Sequence, residues 1–225
     1  MKVITSFLEL LLNESTNPTF KPFDGNTKQL WWERFKDFTL VKISKGGSDR
    51  DVYDFGNTKM VLKVAKTARG LLQNDAEMDS YAAGSLLADY YEYGLNYAVV
   101  EKLDYSNKSM INKMLKELSE IKPLVLGKQI NRLSNDDYNK VQTIISNISK
   151  KYNVSLEVLL EYDNVLWNDI FAPRNWAIGQ NGRIVLADGA SISSNWLTVD
   201  HETKQTWKSY LTSKREWDKT QNKGE

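Results

Sequence analysis

The sequence predicts an α+β domain in which a small antiparallel sheet precedes a mostly helical second half. Between Phe35 and Ala65, short apolar runs alternate with clusters of Gly, Asn and Asp, which is the pattern of strands joined by tight turns. Between Met110 and Ile148, apolar residues recur every three or four positions, a spacing that puts them on one face of a helix and on both faces of a strand.

The elements follow in order. Phe7 to Leu12 is apolar but interrupted by Glu9 and too short to span a bilayer; no small-residue cleavage site follows, so it reads as an N-terminal helix. Asn13 to Thr27 is aperiodic and reads as a linker. Phe38, Leu40, Val41 and Ile43 suit a strand within Phe35 to Ser44. Gly46-Gly47-Ser48-Asp49-Arg50-Asp51 breaks it, Val52 to Phe55 resumes, and Met60 to Ala65 forms a third strand with Lys63 inside it. Three strands in a meander are the economical arrangement. Leu72 to Tyr91 is dense in helix formers, with Gly84 as a weak point, and Asn96 to Leu103 reads as a further strand.

Met110, Ile111, Met114, Leu115, Leu118 and Ile121 make one helical stripe, which Pro123 is expected to end. Tyr138, Val141, Ile144, Ile145 and Ile148 make a second, with cap candidates at Ser134 to Asp137. A short helix over Ser155 to Glu161, an irregular polar loop over Asp163 to Trp176, and a buried strand over Ile184 to Leu186 come next. A last helix over Thr203 to Lys214 is followed by a solvated tail. The expected divisions are 1–29 (helix and linker), 30–104 (sheet half), 105–213 (helical half) and 214–225 (tail).

Composition excludes several classes. With 225 residues, 41% of them hydrophobic, the chain can bury one large core or two smaller ones that share a cleft. Thirty Lys and Arg against 29 Asp and Glu leave a net charge of +1, so no global field attracts nucleic acid or acidic membranes. Lys150-Lys151 and Lys214-Arg215 are pairs rather than patches, which gives no case for nucleic acid binding. The absence of cysteine rules out disulfides and thiolate metal sites and makes the cytoplasm the natural location. The seven tryptophans read as packing residues, and His201, the one histidine, as a surface residue.

The chemistry-bearing residues come in an informative order: a glycine turn, a strand lysine, an acidic helix, a connecting strand, an Asp/Asn loop, and an Asp ending a buried strand. Moving a phosphoryl group from ATP requires the phosphates to be covered, their charge offset and metal ions held by oxygen ligands. Gly46-Gly47-Ser48 to Tyr53, Val61-Leu62-Lys63-Val64-Ala65-Lys66 and Asn74-Asp75-Ala76-Glu77 resemble the protein-kinase-like proteins of bacteriophages and, more distantly, protein kinases and aminoglycoside phosphotransferases. The resemblance covers about Lys42 to Ser191 and implies a two-lobed protein-kinase-like fold. Its N-lobe would be a small antiparallel sheet with one main helix, and its C-lobe a reduced, mostly helical one.

The resemblance also implies roles. Lys63 matches the lysine that contacts nucleotide phosphates, Glu77 its helix partner, and Gly46, Gly47 and Ser48 the phosphate cover. Glu101 matches the segment that borders adenine, Asp169 the catalytic base, and Asn175 and Asp188 the magnesium ligands. The expected function is an ATP- and magnesium-dependent kinase acting on a hydroxyl of a protein. The departures are specific. Only two adjacent glycines stand in the turn, Asp49 and Asp51 lie close to where phosphates would sit, and five residues rather than four separate Asp169 from Asn175. Gly189-Ala190 follows Asp188 in place of Phe-Gly, and only 37 residues remain after Asp188, without Ala-Pro-Glu. These departures support the alternative, a pseudokinase that serves as a binding or structural module for a protein partner. A third reading is an unrelated α+β binding protein; a helix packed beside Lys63 separates the first two from the third.

Overall fold

A computed structural model describes residues 30–43, 49–56, 59–79, 86–94, 96–188 and 198–221. The expected N-terminal helix and linker, the Gly46-Gly47-Ser48 turn and the segment after Asp188 lie outside these residues.

The first described element is a single helical turn, α1 (Trp31–Arg34). The strand expected over Phe35 to Ser44 contracts to β1 (Val41–Lys42). Its aromatic residues are used otherwise: the Phe35 ring packs edge-on against Phe55 and Tyr97, with centroids 5.4 and 5.1 Å away, and Phe38 packs edge-on against Phe55 at 5.6 Å. β2 (Arg50–Asp54) starts two residues before the expected Val52, inside the stretch read as a break, because Arg50 and Asp51 pair with Ala65 and Val64, and β3 (Met60–Ala65) follows as predicted.

The helix after β3 is α2 (Ala68–Asp79), which starts before Leu72 and passes through Gly70. A Cβ at Gly70 would lie 2.2 Å from the carbonyl oxygen of Asp49, so only glycine lets the helix start this close to the beginning of β2. The expectation that helix continues to Tyr91 is corrected. β4 (Tyr90–Gly94) takes Tyr90, Tyr91 and Tyr93 into the sheet, where aromatic residues are favoured, and returns as β5 (Tyr97–Glu101).

The sheet is therefore five-stranded rather than a three-strand meander, antiparallel throughout, in the order β1-β2-β3-β5-β4. β3 is central and lies between β2 and β5, with Lys63 opposite Val52 on one side and Ala98 on the other. Side chains alternate across the sheet. Phe35, Phe55, Met60, Leu62, Val64, Tyr97 and Val99 form the core on one face. Val61, Ala98 and Val100, with Val52 and Tyr90, line the other, and Lys63 shares that second face by register. A buried ionic group fixes α1 to β4: Arg34 grips Glu92 with two hydrogen bonds of 2.9 and 3.1 Å, and the Tyr97 hydroxyl donates to Glu92 at 2.7 Å. Burial next to the Glu92 carboxylate pushes the Tyr97 hydroxyl well above the usual tyrosine range.

The helical half has its own core. α3 (Lys108–Leu118) buries Ile111, Met114, Leu115 and Leu118. Pro123 does not stop the chain as a helix breaker; it sits in the first turn of the short helix α4 (Lys122–Val125), where no N–H is required. α5 (Asn135–Tyr152) starts at Ser134, whose hydroxyl accepts from Asp137 N, and ends at Asn153 with φ 52°. Leu156–Glu161 is a 3-10 helix. The loop expected to be irregular contains a helical turn, α6 (Trp167–Ile170), and a 3-10 turn, Pro173–Asn175. β6 (Trp176–Ile178) and β7 (Ile184–Leu186) close a hairpin whose turn uses Gly182 at φ 78°.

The last helix, α7 (His201–Gln221), is longer than expected, and the stretch after Lys214 continues it as far as Gln221. It continues because Trp217 packs on Trp32, with ring centroids 5.6 Å apart, while Tyr210 meets the same indole at 5.4 Å. α7 thus returns to the sheet half and packs beside α2. His201 is exposed, as expected, and Trp32, Trp167 and Trp176 are core residues. Among the described residues no helix is long and apolar enough to cross a membrane.

Trp32 is 2% exposed at the centre of this contact. Trp32→Ala is expected to destabilise the chain by about 3 kcal/mol or more, read as a lower urea midpoint.

Candidate functional site

Three segments far apart in sequence meet where the second face of the sheet looks onto the β6–β7 hairpin. Lys63 projects from the middle of β3, and its Nζ donates to the carbonyl oxygen of Ala187 at 3.1 Å, immediately before Asp188. Ala187 N in turn donates to the Asn175 carbonyl at 2.7 Å, which holds Asp188 beside Asn175. The Asn175 side chain folds back so that Nδ2 donates to the Asp169 carbonyl at 3.0 Å. The extra residue between Asp169 and Asn175 is absorbed where α6 ends and the 3-10 turn begins, so the longer spacing still brings both residues together. Trp176, 1% exposed, anchors the loop from below by donating its indole N–H to the Ile170 carbonyl at 2.7 Å.

Lys63, Asp169, Asn175 and Asp188 are therefore gathered in one region. Glu77 lies on α2, which packs against β3 and β5; its side chain is outside the described set, as are Gly46, Gly47 and Ser48. The charge anticipated from Asp49 and Asp51 is largely engaged within the sheet half. Asp49 accepts from the Thr67 hydroxyl at 2.8 Å, and Asp51 pairs with Lys42 at 2.9 Å and Lys66 at 3.4 Å.

The donor chemistry at Asn175 and Asp188 fits magnesium. Nδ2 of Asn175 is committed to the Asp169 carbonyl, which leaves its amide oxygen as an acceptor, and the backbone bond from Ala187 N to the Asn175 carbonyl brings the neighbouring Asp188 to the same region. Among the described residues there is no group of three or more His, Cys, Asp or Glu placed to hold a metal. Two oxygen donors without a full cage suit an ion that keeps waters and shares phosphate oxygens.

Glu101 differs from the expectation that it borders adenine. Its carboxylate is 2% exposed and accepts from Asp89 N at 3.2 Å and from Gln180 N, with the Arg183 guanidinium 3.9 Å away. Its own amide donates to the Asp89 carbonyl, which keeps that group inside the protein. Arg183 also reaches Asp89 at 2.6 Å and the Leu87 carbonyl at 3.1 Å, and Gln180 donates to the Lys59 carbonyl. Glu101 is thus a fastener between the sheet and the tip of the hairpin, reinforced by the paired backbone bonds of Asp104 and Ile178. Nothing in the sequence links Glu101 to Gln180, 79 positions later. Asn74 was also not foreseen: its side-chain oxygen accepts from Arg50 Nη1 at 3.3 Å, and Arg50 Nη2 meets Asp188 at 3.2 Å.

Beside Asp169, a hollow of about 450 Å³ opens between the Leu126–Gln129 turn and the Asp163–Asp169 loop. Lys128, Gln129, Asp163 and Asn164 give it a polar lining over the buried Trp167.

The sequence matches no protein-family model, and no curated protein is similar to it. Among solved structures, the chain is similar to the streptomycin–ATP–APH(2")-IIa ternary complex, with 14% identity and a TM-score of 0.34 over 71% of this chain and 68% of the other. It is similar to the same degree to choline kinase LicA from Streptococcus pneumoniae, with 14% identity and a TM-score of 0.34 over 71% and 67%. Likeness at this level leaves the case to the chain's own topology and side chains.

Removing the Glu101 carboxylate would leave the backbone N–H groups of Asp89 and Gln180 without their acceptor and take the counter-charge away from the Arg183 guanidinium. Glu101→Ala is expected to lower unfolding stability by about 3 kcal/mol, and Glu101→Gln by less, both read by urea denaturation.

Proposed function

We propose that this chain is a kinase-like phosphotransferase that moves the γ-phosphoryl group of ATP onto a hydroxyl, and that its sheet and helical halves are the two lobes of a protein-kinase-like fold. The observation that carries this reading is the chain of contacts from Lys63 through the Ala187 backbone to Asn175 and the Asp169 carbonyl, which draws the strand lysine, the Asp169–Asn175 loop and the residue before Asp188 into one region from separate segments. The helix packed beside β3 and the central position of Lys63 support it further.

In this reading Gly46, Gly47 and Ser48 cover the phosphates, Lys63 orients them and Glu77 orients Lys63. Asn175 and Asp188 hold magnesium, which when bound offsets phosphate charge. The acceptor hydroxyl lies at the Asp169 end of the cleft, in the polar hollow between the Leu126–Gln129 turn and the Asp163–Asp169 loop. Its oxygen forms a bond to the γ-phosphorus as the bond from that phosphorus to the bridging oxygen breaks. ADP leaves, and the hydroxyl proton passes to Asp169. We assign the acceptor to a protein, the setting to the cytoplasm, and the lineage to the bacteriophage type on the sequence resemblance.

A second reading, a pseudokinase that binds a protein partner, is favoured by one observation: the Asp188 carboxylate already has the Arg50 guanidinium at 3.2 Å, a contact that competes with metal ligation.

Asp169→Asn separates the two. It is expected to lower phosphoryl transfer to an acceptor at least about a hundredfold, with magnesium-ATP affinity unchanged, measured by radiolabel transfer and by calorimetry. Absence of transfer in the wild type, with a folded chain and an acceptor screen that includes proteins, would favour the pseudokinase.

A further inference from the structure

Arg50 stands at the start of β2, and its position is fixed from several directions. The preceding residue, Asp49, accepts from Lys66 N at 2.8 Å through its carbonyl and from the Thr67 hydroxyl at 2.8 Å through its carboxylate. Gly70 packs directly onto that same carbonyl. The Arg50 side chain is 11% exposed and spans the cleft, with one guanidinium nitrogen 3.3 Å from the Asn74 side-chain oxygen on α2 and another 3.2 Å from Asp188 Oδ1. Asn74 is itself buried, at 6% exposure. The guanidinium thus links β2, α2 and the segment after β7 at the carboxylate proposed to receive the metal.

From this geometry we infer that the Arg50–Asp188 pair is a latch that opposes loading of the nucleotide site: a divalent cation reaches Asp188 only when the guanidinium leaves it. This inference rests on the nucleotide reading given above. The physical reason is competition for one carboxylate. Asp188 is 37% exposed at the side chain, so it is open to an ion from solvent, whereas Arg50 is largely enclosed and oriented by Asn74. An oriented guanidinium loses little further freedom on pairing, which makes it an effective competitor for a carboxylate. A magnesium ion carries twice the charge but gives up strongly held water on binding, which lets an oriented guanidinium compete with it for Asp188. When the metal arrives with a nucleotide, the released guanidinium is close to the incoming phosphates. Removal of the Arg50 charge therefore separates the latch from a role as a simple phosphate contact, because the two predict opposite changes in affinity.

The test is calorimetric titration of folded full-length wild type, Arg50→Gln and Asp188→Asn with ATP, in magnesium and in EDTA. The latch predicts that Arg50→Gln binds magnesium-ATP about tenfold more tightly than the wild type, a difference of about 1.4 kcal/mol. It also predicts little or no gain in EDTA, and loss of magnesium dependence in Asp188→Asn. Equal or weaker magnesium-ATP binding by Arg50→Gln, with nucleotide binding intact in the wild type, would overturn the latch and leave the nucleotide reading standing. No binding by the wild type or by Arg50→Gln would overturn both. As a check on the folded state, melting temperatures of Arg50→Gln, Asp188→Asn and the double variant should be non-additive, because the pair is in direct contact; additive changes would argue against a latch.

Discussion

The carboxylate of Glu101 is the constraint on which the rest of the arrangement depends. It lies at the end of β5, buried, and gathers donors from both sides of the junction between the sheet and the helical half: Asp89 from the segment before β4, and Gln180 and Arg183 from the turn between β6 and β7. A buried carboxylate is tolerated only when its lone pairs are occupied, so these segments have to close around it. Closing them brings Ile178 against Asp104 and sets the height of the hairpin relative to the sheet. With the hairpin at that height, the Ala187 carbonyl comes within reach of Lys63, and Asp188 comes to the level of Arg50. The positions of the candidate site residues thus follow from a fastening that takes no part in the proposed chemistry.

The second constraint is the return of the chain to the sheet half. α7 places Tyr210 and Trp217 on Trp32, next to the buried Arg34–Glu92–Tyr97 group, so the outer side of the sheet half is closed by residues from both ends of the described chain. α2 packs against both α7 and β3, and carries Asn74 on one side of the cleft.

Much of this was legible in the sequence where one physical pattern dominated. The apolar runs of β3, β5 and β7 are short, bounded by turn residues and buried, with Lys63 inside the first and Asp188 just after the last. The stripes of α3 and α5 gave the helical core, with Ser134 as the cap. Asp169 and Asn175 share one loop in the sequence, and that loop folds back through a hydrogen bond from the Asn175 side chain to the Asp169 carbonyl. Other features depend on partners distant in sequence. Tyr90 and Tyr91 follow a run of helix formers, and only pairing with β5 places them in a strand. Lys214 to Gln221 is too polar to look like a packed element, and the contact of a single indole with Trp32 extends the helix through it. Glu101 sits at a strand end as expected, yet its partners are spread over the Asp89 segment and the hairpin turn, which no local pattern links. Arg50 lies four positions after Gly46 in the sequence, and its contact with Asp188, 138 positions away, exists only in the fold.

The central claim is that the cleft around Lys63 and Asp188 takes a nucleotide together with a divalent ion. Thermal unfolding of the full chain, titrated with ATP and magnesium, tests it most directly in the wild type and in Lys63→Ala. At a ligand concentration about a hundred times the dissociation constant, binding adds about 2.7 kcal/mol to stability. A magnesium-dependent rise in melting temperature is expected for the wild type, and Lys63→Ala is expected to largely abolish it. No rise in the wild type, or the same rise in both proteins, would contradict it.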